Sequence, residues 1–98
     1  MFASVTTTQF SPYRLEEAIH IAREHTVPAA QQQTGFTGYL MLVDRSTGKG
    51  ITITLWEGEE DRQLTGQNSS YYREAIGKIV PLLEDAPLVE DLELVIQV

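Results

Sequence analysis

The segment from residue 39 to residue 56 constrains the fold more than any other part of the sequence. It contains an apolar run over 39–43, then DRSTGKG, then the alternating run ITITLW, which ends at Trp56. Both runs are rich in residues that favour β-strands, and the Asp, Ser and Gly residues between them favour a turn. The segment therefore predicts a β-hairpin with a loop longer than two residues.

A strand and an amphipathic helix are predicted before this hairpin. Residues 2–9 are rich in β-branched side chains and predict a first strand. Ser11 and Pro12 then have the residue types of a helix N-cap and first helical position. Pro28 is expected to kink or end this helix, with 29–33 as a last turn. Its apolar stripe, which would lie on the sheet, consists of Leu15, Ala18, Ile19, Ala22 and Thr26.

Helices and a last strand are predicted after the hairpin. A short helix over 57–64 precedes a longer one that begins at Asn68 or Ser69 and is interrupted by Pro81. Residues 92–98 predict a final strand. The resulting βαββαβ order predicts an α+β, ferredoxin-like fold, in which a four-stranded antiparallel sheet carries helices on one face.

The predicted sheet is too apolar for one layer of helices to cover. Residues 39–43 read Tyr, Leu, Met, Leu, Val, so apolar side chains point to both faces of this strand. The face without helices would meet water, which favours association with a second copy of the chain. We therefore expect a homodimer in which two sheets meet face to face and form an α/β barrel.

Composition predicts a small globular chain and excludes several partners. Its 98 residues, 42% of them hydrophobic, predict a single domain over 1–98. Fourteen acidic against seven basic residues give a net charge of −7, which disfavours nucleic acids and anionic membranes. There is no cysteine, no signal-like N-terminus and no apolar run near the ~20 residues of a membrane span. A cytoplasmic location is expected.

The region from Gly35 to Asp61 carries a family resemblance. Its pattern is G-F-x-G-Y-x-x-x-V-D-x-x-T-G-x-G-x-x-I-T-L-W-E-x-E-E-D. This pattern resembles the antibiotic biosynthesis monooxygenase-like proteins of the dimeric α/β-barrel superfamily, and the later Tyr-Tyr helix and closing strand fit as well. The resemblance implies the ferredoxin-like fold and the dimer. It does not imply one reaction, because the family includes cofactor-free quinone-forming oxygenases, haem-degrading oxygenases and many proteins without assigned activity.

Few catalytic residues are carried over by the resemblance. Its haem-degrading branch implies an asparagine on the first strand and a histidine on the helix after the tryptophan. This sequence has threonines at 6, 7 and 8 and no histidine over 68–80. Its quinone-forming branch implies an asparagine where this sequence has Thr52. Both catalytic sets are therefore incomplete, and neither haem nor another cofactor is expected.

Trp56 is the leading candidate for a binding residue. Strand alternation places it on one face with Thr52 and Thr54, so the three residues predict a half-polar, ligand-binding pocket wall. Packing in the core or against a partner subunit is the alternative for the indole. Tyr72 lies on the apolar stripe of the second long helix, where its hydroxyl would reach the pocket. Tyr71 lies about 100° round that helix and is expected to be exposed or at the dimer rim.

The remaining candidates are ionisable. His25 borders the stripe of the first helix and is a candidate base facing a cavity, whereas His20 lies among glutamates on the solvent side. The two imidazoles are five residues apart, on different sides of the helix, so they cannot share a metal ion. The acidic residues over 57–61 predict a solvated helix start, and no metal site is expected.

Two functions remain open from the sequence. In the first, the chain is a cofactor-independent monooxygenase, in which Trp56 and Tyr72 orient a small aromatic compound that itself reduces oxygen and His25 acts as base. In the alternative, the chain is a non-catalytic dimeric module that binds a small molecule or has a structural role. The incomplete catalytic sets favour a monooxygenase-like fold relative of unassigned activity.

Overall fold

The four strands of the sheet follow the predicted order. The structure, a computed structural model, describes all residues from 1 to 98. The strands pair antiparallel in the spatial order β2-β3-β1-β4. This sheet with its helices confirms the α+β, ferredoxin-like fold. The strands are β1 (Phe2–Gln9), β2 (Phe36–Val43), β3 (Lys49–Trp56) and β4 (Leu88–Glu93).

Helical segments connect the strands in two groups. The first group lies between β1 and β2, and the second lies between β3 and β4. None of the helices combines the length and the apolar character that a membrane crossing requires. The first group contains a 3-10 turn (Pro12–Arg14), α1 (Leu15–Ile21), a π-helical segment (Ala22–Thr26) and α2 (Val27–Gln31). The second contains α3 (Glu59–Leu64), α4 (Ser70–Ile79) and a 3-10 turn (Val80–Leu82).

Pro28 disturbs the first helical group one turn earlier than expected. A proline has no N–H, so the carbonyl of Glu24, four residues before it, has no α-helical partner there. The chain responds with the π-helical segment, in which the N–H of Val27 donates to the carbonyl of Ala22, five residues back. The helix then continues through Pro28 to Gln31. The predicted last turn after the proline is thus present, and the irregularity precedes the proline.

The predicted last strand, 92–98, is wrong in its position. β4 begins earlier, at Leu88, and ends at Glu93, opposite Phe2 of β1. The N–H of Leu94 still donates to the carbonyl of Met1 at 2.8 Å, and after this bond the segment 95–98 has no strand beside it. A strand needs a hydrogen-bonding neighbour, so the apolar residues at the end of the sequence do not form one.

The two faces of the sheet differ in what covers them. The inner face, which carries Thr52, Thr54 and Trp56 of β3, lies under α1, the π-helical segment and α4. The opposite face, called the open face here, carries the alternate residues of the same strand, of which Ile51 and Ile53 are partly exposed and Leu55 is buried. At one end of the inner face, helices and sheet enclose a core of Phe10, Leu15, Ala18 and Leu82. Trp56 is 1% exposed at the other end.

Replacing Gly77 with alanine is expected to stabilise the fold by about 0.5–1 kcal/mol, because glycine is a poor helix former. Gly77 lies in α4, and an added Cβ would meet no atom within 4 Å. Urea unfolding followed by circular dichroism checks the change. The control, Gly48→Ala, should instead destabilise the fold, since Gly48 has φ +83° and its Cβ would lie 2.1 Å from the Phe10 carbonyl oxygen. A Gly77→Ala protein less stable than the wild type would contradict this account of α4.

Candidate functional site

A cavity lies between the inner face of the sheet and the helices. Its volume is about 130 Å³, and it is partly open to solvent. An engineered cavity of roughly 150 Å³ in another protein holds one benzene molecule. A single aromatic ring therefore fits here, and a larger compound would extend towards the mouth. The cavity is formed by all four strands, by the helices on the inner face and by Thr65, Gly66 and Gln67 between α3 and α4.

Side-chain hydroxyl groups form the floor of the cavity. Ser4 and Thr6 of β1 lie directly opposite Thr54 and Thr52 of β3, and all four line the cavity. β-Branched residues on adjacent strands pack well, which explains a threonine-rich floor in local terms. Each hydroxyl can donate one hydrogen bond and accept others. The floor can thus bind both carbonyl and hydroxyl groups of a ligand.

Trp56 forms the end wall of the cavity. Its indole N–H donates to the Ser4 hydroxyl oxygen at 3.3 Å. Its ring meets the rings of Phe36 and Tyr71 edge to face, each with centroids 6.2 Å apart and interplanar angles of 80° and 88°. Such geometry is the favoured one for aromatic pairs, so the indole is held in one orientation.

Three tyrosines line the cavity, one from β2 and two from α4. Burial, and to a smaller extent the nearby Tyr71, raise the pKa of Tyr39 to about 12, although a hydrogen bond with the Thr52 side chain acts in the opposite direction. Burial also raises the pKa of Tyr71 and of Tyr72, and Gln67 partly offsets the latter through a side-chain hydrogen bond. All three phenols are therefore neutral near pH 7, where they donate hydrogen bonds and do not act as bases.

The binding residues predicted from the sequence lie together in the structure. Trp56, Thr52, Thr54 and Tyr72 all line the cavity. Tyr71 lines it too, in contact with Trp56, which corrects the expectation that Tyr71 is exposed or at a dimer rim. Tyr71 is four residues before Ala75 and therefore lies only about 40° round the helix from it, beside the edge of the stripe, where its side chain reaches Trp56.

His25 does not lie where the sequence predicted it. Its side chain is exposed, and it is not among the residues that line the cavity, so the expectation that it faces a cavity is wrong. Within the π-helical segment the neighbouring Ala22 and Thr26 line the cavity. A π turn has more residues than an α turn, so the angular position read from a regular helix fails there. His20 is exposed, as expected.

The sequence-based list of site residues lacked Tyr39 and Asp91. Tyr39 lies opposite Thr54 across the hairpin, a register that strand alternation and the hairpin turn together specify. Asp91 lines the cavity from β4, and the shifted position of that strand concealed it. A correct register for β4 was therefore the missing signal.

The cavity has neither a cluster of metal-binding side chains nor a histidine. No group of three or more His, Asp, Glu or Cys side chains is placed to hold a metal ion. The lining contains no imidazole, so the histidine that the haem-degrading branch would require is lacking, and the cavity does not fit that mode of haem binding.

Solved structures share this arrangement of sheet and helices. An antibiotic biosynthesis monooxygenase matches with a TM-score of 0.75 at 16% identity, covering 97% of this chain and 99% of that one. The chain has the antibiotic biosynthesis monooxygenase fold. A monooxygenase from the gene ActVA-Orf6 of Streptomyces coelicolor, in complex with nanaomycin D, shares this fold with a TM-score of 0.76 at 17% identity, covering 99% and 89%. A Nitrosomonas europaea protein of unknown function shares it at 20% identity and a TM-score of 0.70, covering 98% and 90%.

Relatives of this chain are also found by sequence. It is 27% identical over 89 residues to the uncharacterised proteins Rv2558 and MT2635 of two Mycobacterium tuberculosis strains, H37Rv and CDC 1551. The match covers 91% of this chain and 34% of each relative, so the chain spans about a third of their length. No protein-family profile matches the sequence.

Proposed function

We propose that the cavity beside Trp56 binds a small aromatic compound that carries hydroxyl or carbonyl groups. The observation that carries this proposal is the combination of an aromatic end wall, a floor of serine and threonine hydroxyls and three neutral phenols around one ring-sized space. The rings bind the apolar faces of an aromatic ligand, and the hydroxyl groups bind its oxygen atoms. The fold is shared by a monooxygenase that holds nanaomycin D, which supports an oxygenated ring compound as ligand.

Cofactor-independent oxidation is the reaction that we propose for such a ligand. A phenol and molecular oxygen would give a quinone and water, with one oxygen atom becoming the new carbonyl oxygen and the other leaving as water. The ring supplies the electrons, so the protein only has to orient the ring and stabilise developing charge. Trp56 and Tyr72 line the cavity in positions suited to that orientation.

Binding without catalysis is the alternative, and specific observations favour it. His25, the expected base, lies outside the cavity, and Thr52 occupies the position at which the quinone-forming branch implies an asparagine. The phenols of the lining stay protonated near neutral pH. Ligand binding is common to both functions, so it is the first property to measure.

We further infer that two copies of the chain associate through the open face. The exposed fractions of Leu40, Leu42, Leu88 and Leu92 lie between 48% and 58%, although all are apolar. Strand register aligns these residues with their neighbours in three rows across the sheet. The rows are Leu42–Ile51–Thr7–Leu88, Leu40–Ile53–Val5–Glu90 and Gly38–Leu55–Ala3–Leu92.

A second copy is the partner that suits this open face. Glu90 is the one charged residue in the three rows, so the centre of the face has no pattern of charges that a different partner would complement. Exposed apolar side chains grouped in this way on a monomer mark an interaction surface, although Ala3 and Leu55 of the third row are only 7% and 8% exposed. The homodimer, the cytoplasmic location and the single domain stay predictions.

The first experiment measures binding and oxygen uptake together. Because Trp56 is the single tryptophan and lines the cavity, 1,4-naphthoquinone should quench its fluorescence saturably. Incubation with 1,5-dihydroxynaphthalene in an oxygen electrode then tests catalysis, with Trp56→Phe beside the wild type. Saturable quenching without oxygen uptake would support the binding function alone. The absence of both would overturn the proposed function.

A variant that fills the cavity provides the structural control. Ala75 lines the cavity from α4, so Ala75→Leu should weaken naphthoquinone binding by at least about tenfold through steric exclusion. Glu74→Leu places the same side chain on the same helix at an exposed position and should bind normally. Equal binding by the two variants would mean that the quinone binds elsewhere on the protein.

A further inference from the structure

The cavity contains a single charged group. Asp91 is the one acidic residue among those that line it, and the lining has no lysine, arginine or histidine. The phenols of the lining are neutral near pH 7, as shown above. Any ligand in the cavity therefore meets one carboxylate and otherwise only neutral polar and apolar groups. The charge of Asp91 is half exposed to solvent, at 52% of its side chain.

The positive charge of Arg62, which contacts Asp91, is paired with two carboxylates. Arg62 of α3 is not part of the lining, and its guanidinium Nη1 lies 2.8 Å from the Asp91 carboxylate. Its other terminal nitrogen lies 3.5 Å from a Glu59 carboxylate oxygen. The Arg62 side chain is only 13% exposed, so solvent screens it less than it screens its two acidic partners. Asp91 and Glu59 share this one guanidinium, so the three side chains together remain negatively charged and offer a bound anion no unpaired cation.

We propose that Asp91 sets the charge selectivity of the cavity, so that it accepts uncharged oxygenated aromatic compounds and rejects aromatic carboxylates and sulfonates. An anion entering the cavity would lose water, find no cation to pair with and approach a fixed carboxylate. A neutral phenol or quinone loses little free energy on leaving water, because the floor hydroxyls replace its hydrogen bonds to water. This inference rests on the proposed binding function and adds to it the residue that decides which ligand charge is tolerated.

The selectivity can be measured with two ring compounds that differ by one sulfonate group. 1,4-Naphthoquinone is uncharged, and 1,4-naphthoquinone-2-sulfonate carries one negative charge on the same ring system. Quenching of Trp56 reports the binding of both, and the chain has no cysteine that would add to either quinone. The quantity of interest is the ratio of the dissociation constant of the sulfonate to that of the neutral quinone. We expect a ratio of at least about ten for the wild type, allowing for solvent screening of Asp91.

Asp91→Asn should lower this ratio by at least about tenfold, because it removes the carboxylate from the lining and releases the Nη1 of Arg62 from its salt bridge. Arg62→Gln should raise the ratio, since it leaves the Asp91 charge without its partner. The matched control is Glu93→Gln, which removes one negative charge from the same strand at an exposed position outside the lining. Its ratio should stay within about twofold of the wild type, as expected of a charge screened by water.

The outcomes separate this inference from the function on which it rests. If neither quinone quenches Trp56 saturably, the proposed binding function fails. If both bind the wild type equally, or if Asp91→Asn and Glu93→Gln change the ratio alike, binding stands and the role of Asp91 is overturned. If Asp91→Asn does not fold, the ratio of the two dissociation constants is measured for the wild type from low to high salt instead. The ratio must fall as salt rises, and a ratio independent of salt refutes the electrostatic origin.

Discussion

Replacing Trp56 with alanine is expected to lower the free energy of unfolding by about 3–5 kcal/mol. The side chain is 1% exposed and is held by edge-to-face contacts with Phe36 and Tyr71 and by a hydrogen bond to Ser4. Alanine would remove all of these contacts and enlarge a cavity that the sheet and helices cannot close. Urea unfolding checks the loss, followed by far-ultraviolet circular dichroism because the variant has no tryptophan fluorescence.

Two further variants accompany Trp56→Ala, a control at an exposed aromatic residue and a partial replacement of the indole. Tyr13→Ala removes an aromatic side chain that is 97% exposed and should change stability by no more than about 0.5 kcal/mol. Trp56→Phe keeps a ring beside Phe36 and Tyr71 and loses the hydrogen bond to Ser4, so its stability should lie between those of the wild type and Trp56→Ala. All proteins must be compared at one concentration, because association alters apparent stability. A loss below about 1 kcal/mol for Trp56→Ala would refute the structural role of the indole.

The order of elements could be predicted from the sequence because local signals agree with the tertiary structure. β1 occupies the predicted 2–9, and β3 ends at Trp56 as the alternation of ITITLW indicated. Ser69 is the N-cap of α4, with its hydroxyl accepting from the N–H of Tyr72. These features depend on neighbouring residues only, namely side-chain alternation, β-branching and capping chemistry. Tertiary contacts reinforce them and do not override them.

The errors lie where distant parts of the chain decide the structure. The segment 95–98 has the composition of a strand, but β1 offers a partner to β4 only over Leu88–Glu93. That strand shift also concealed Asp91, so a mistake of register became a mistake about the site. His25 was misplaced because Pro28 induces a π-helical segment, which changes the angular position of every residue in it.

Replacing Leu40 with glutamate is expected to convert a dimer of this chain into monomers. Leu40 lies beside Ile53 in the middle row of the open face and is 48% exposed in the single chain. In a face-to-face dimer the new carboxylate would be buried without a cation, and symmetry would introduce it twice. In the monomer it would remain in water, so the fold should persist. Sedimentation velocity at micromolar concentration should give the mass of two chains for the wild type and of one chain for Leu40→Glu.

Leu64→Glu is the matched control for the dimer, because it makes the same substitution at a leucine that is 68% exposed on α3 and is not part of the three rows of the open face. It should keep the mass of two chains and a circular dichroism spectrum equal to that of the wild type. The same spectrum for Leu40→Glu would establish that its monomer is folded. A wild-type chain that sediments as a monomer would contradict the inferred dimer outright. A dimer that tolerates Leu40→Glu but not Leu64→Glu would move the interface from the sheet to the helices.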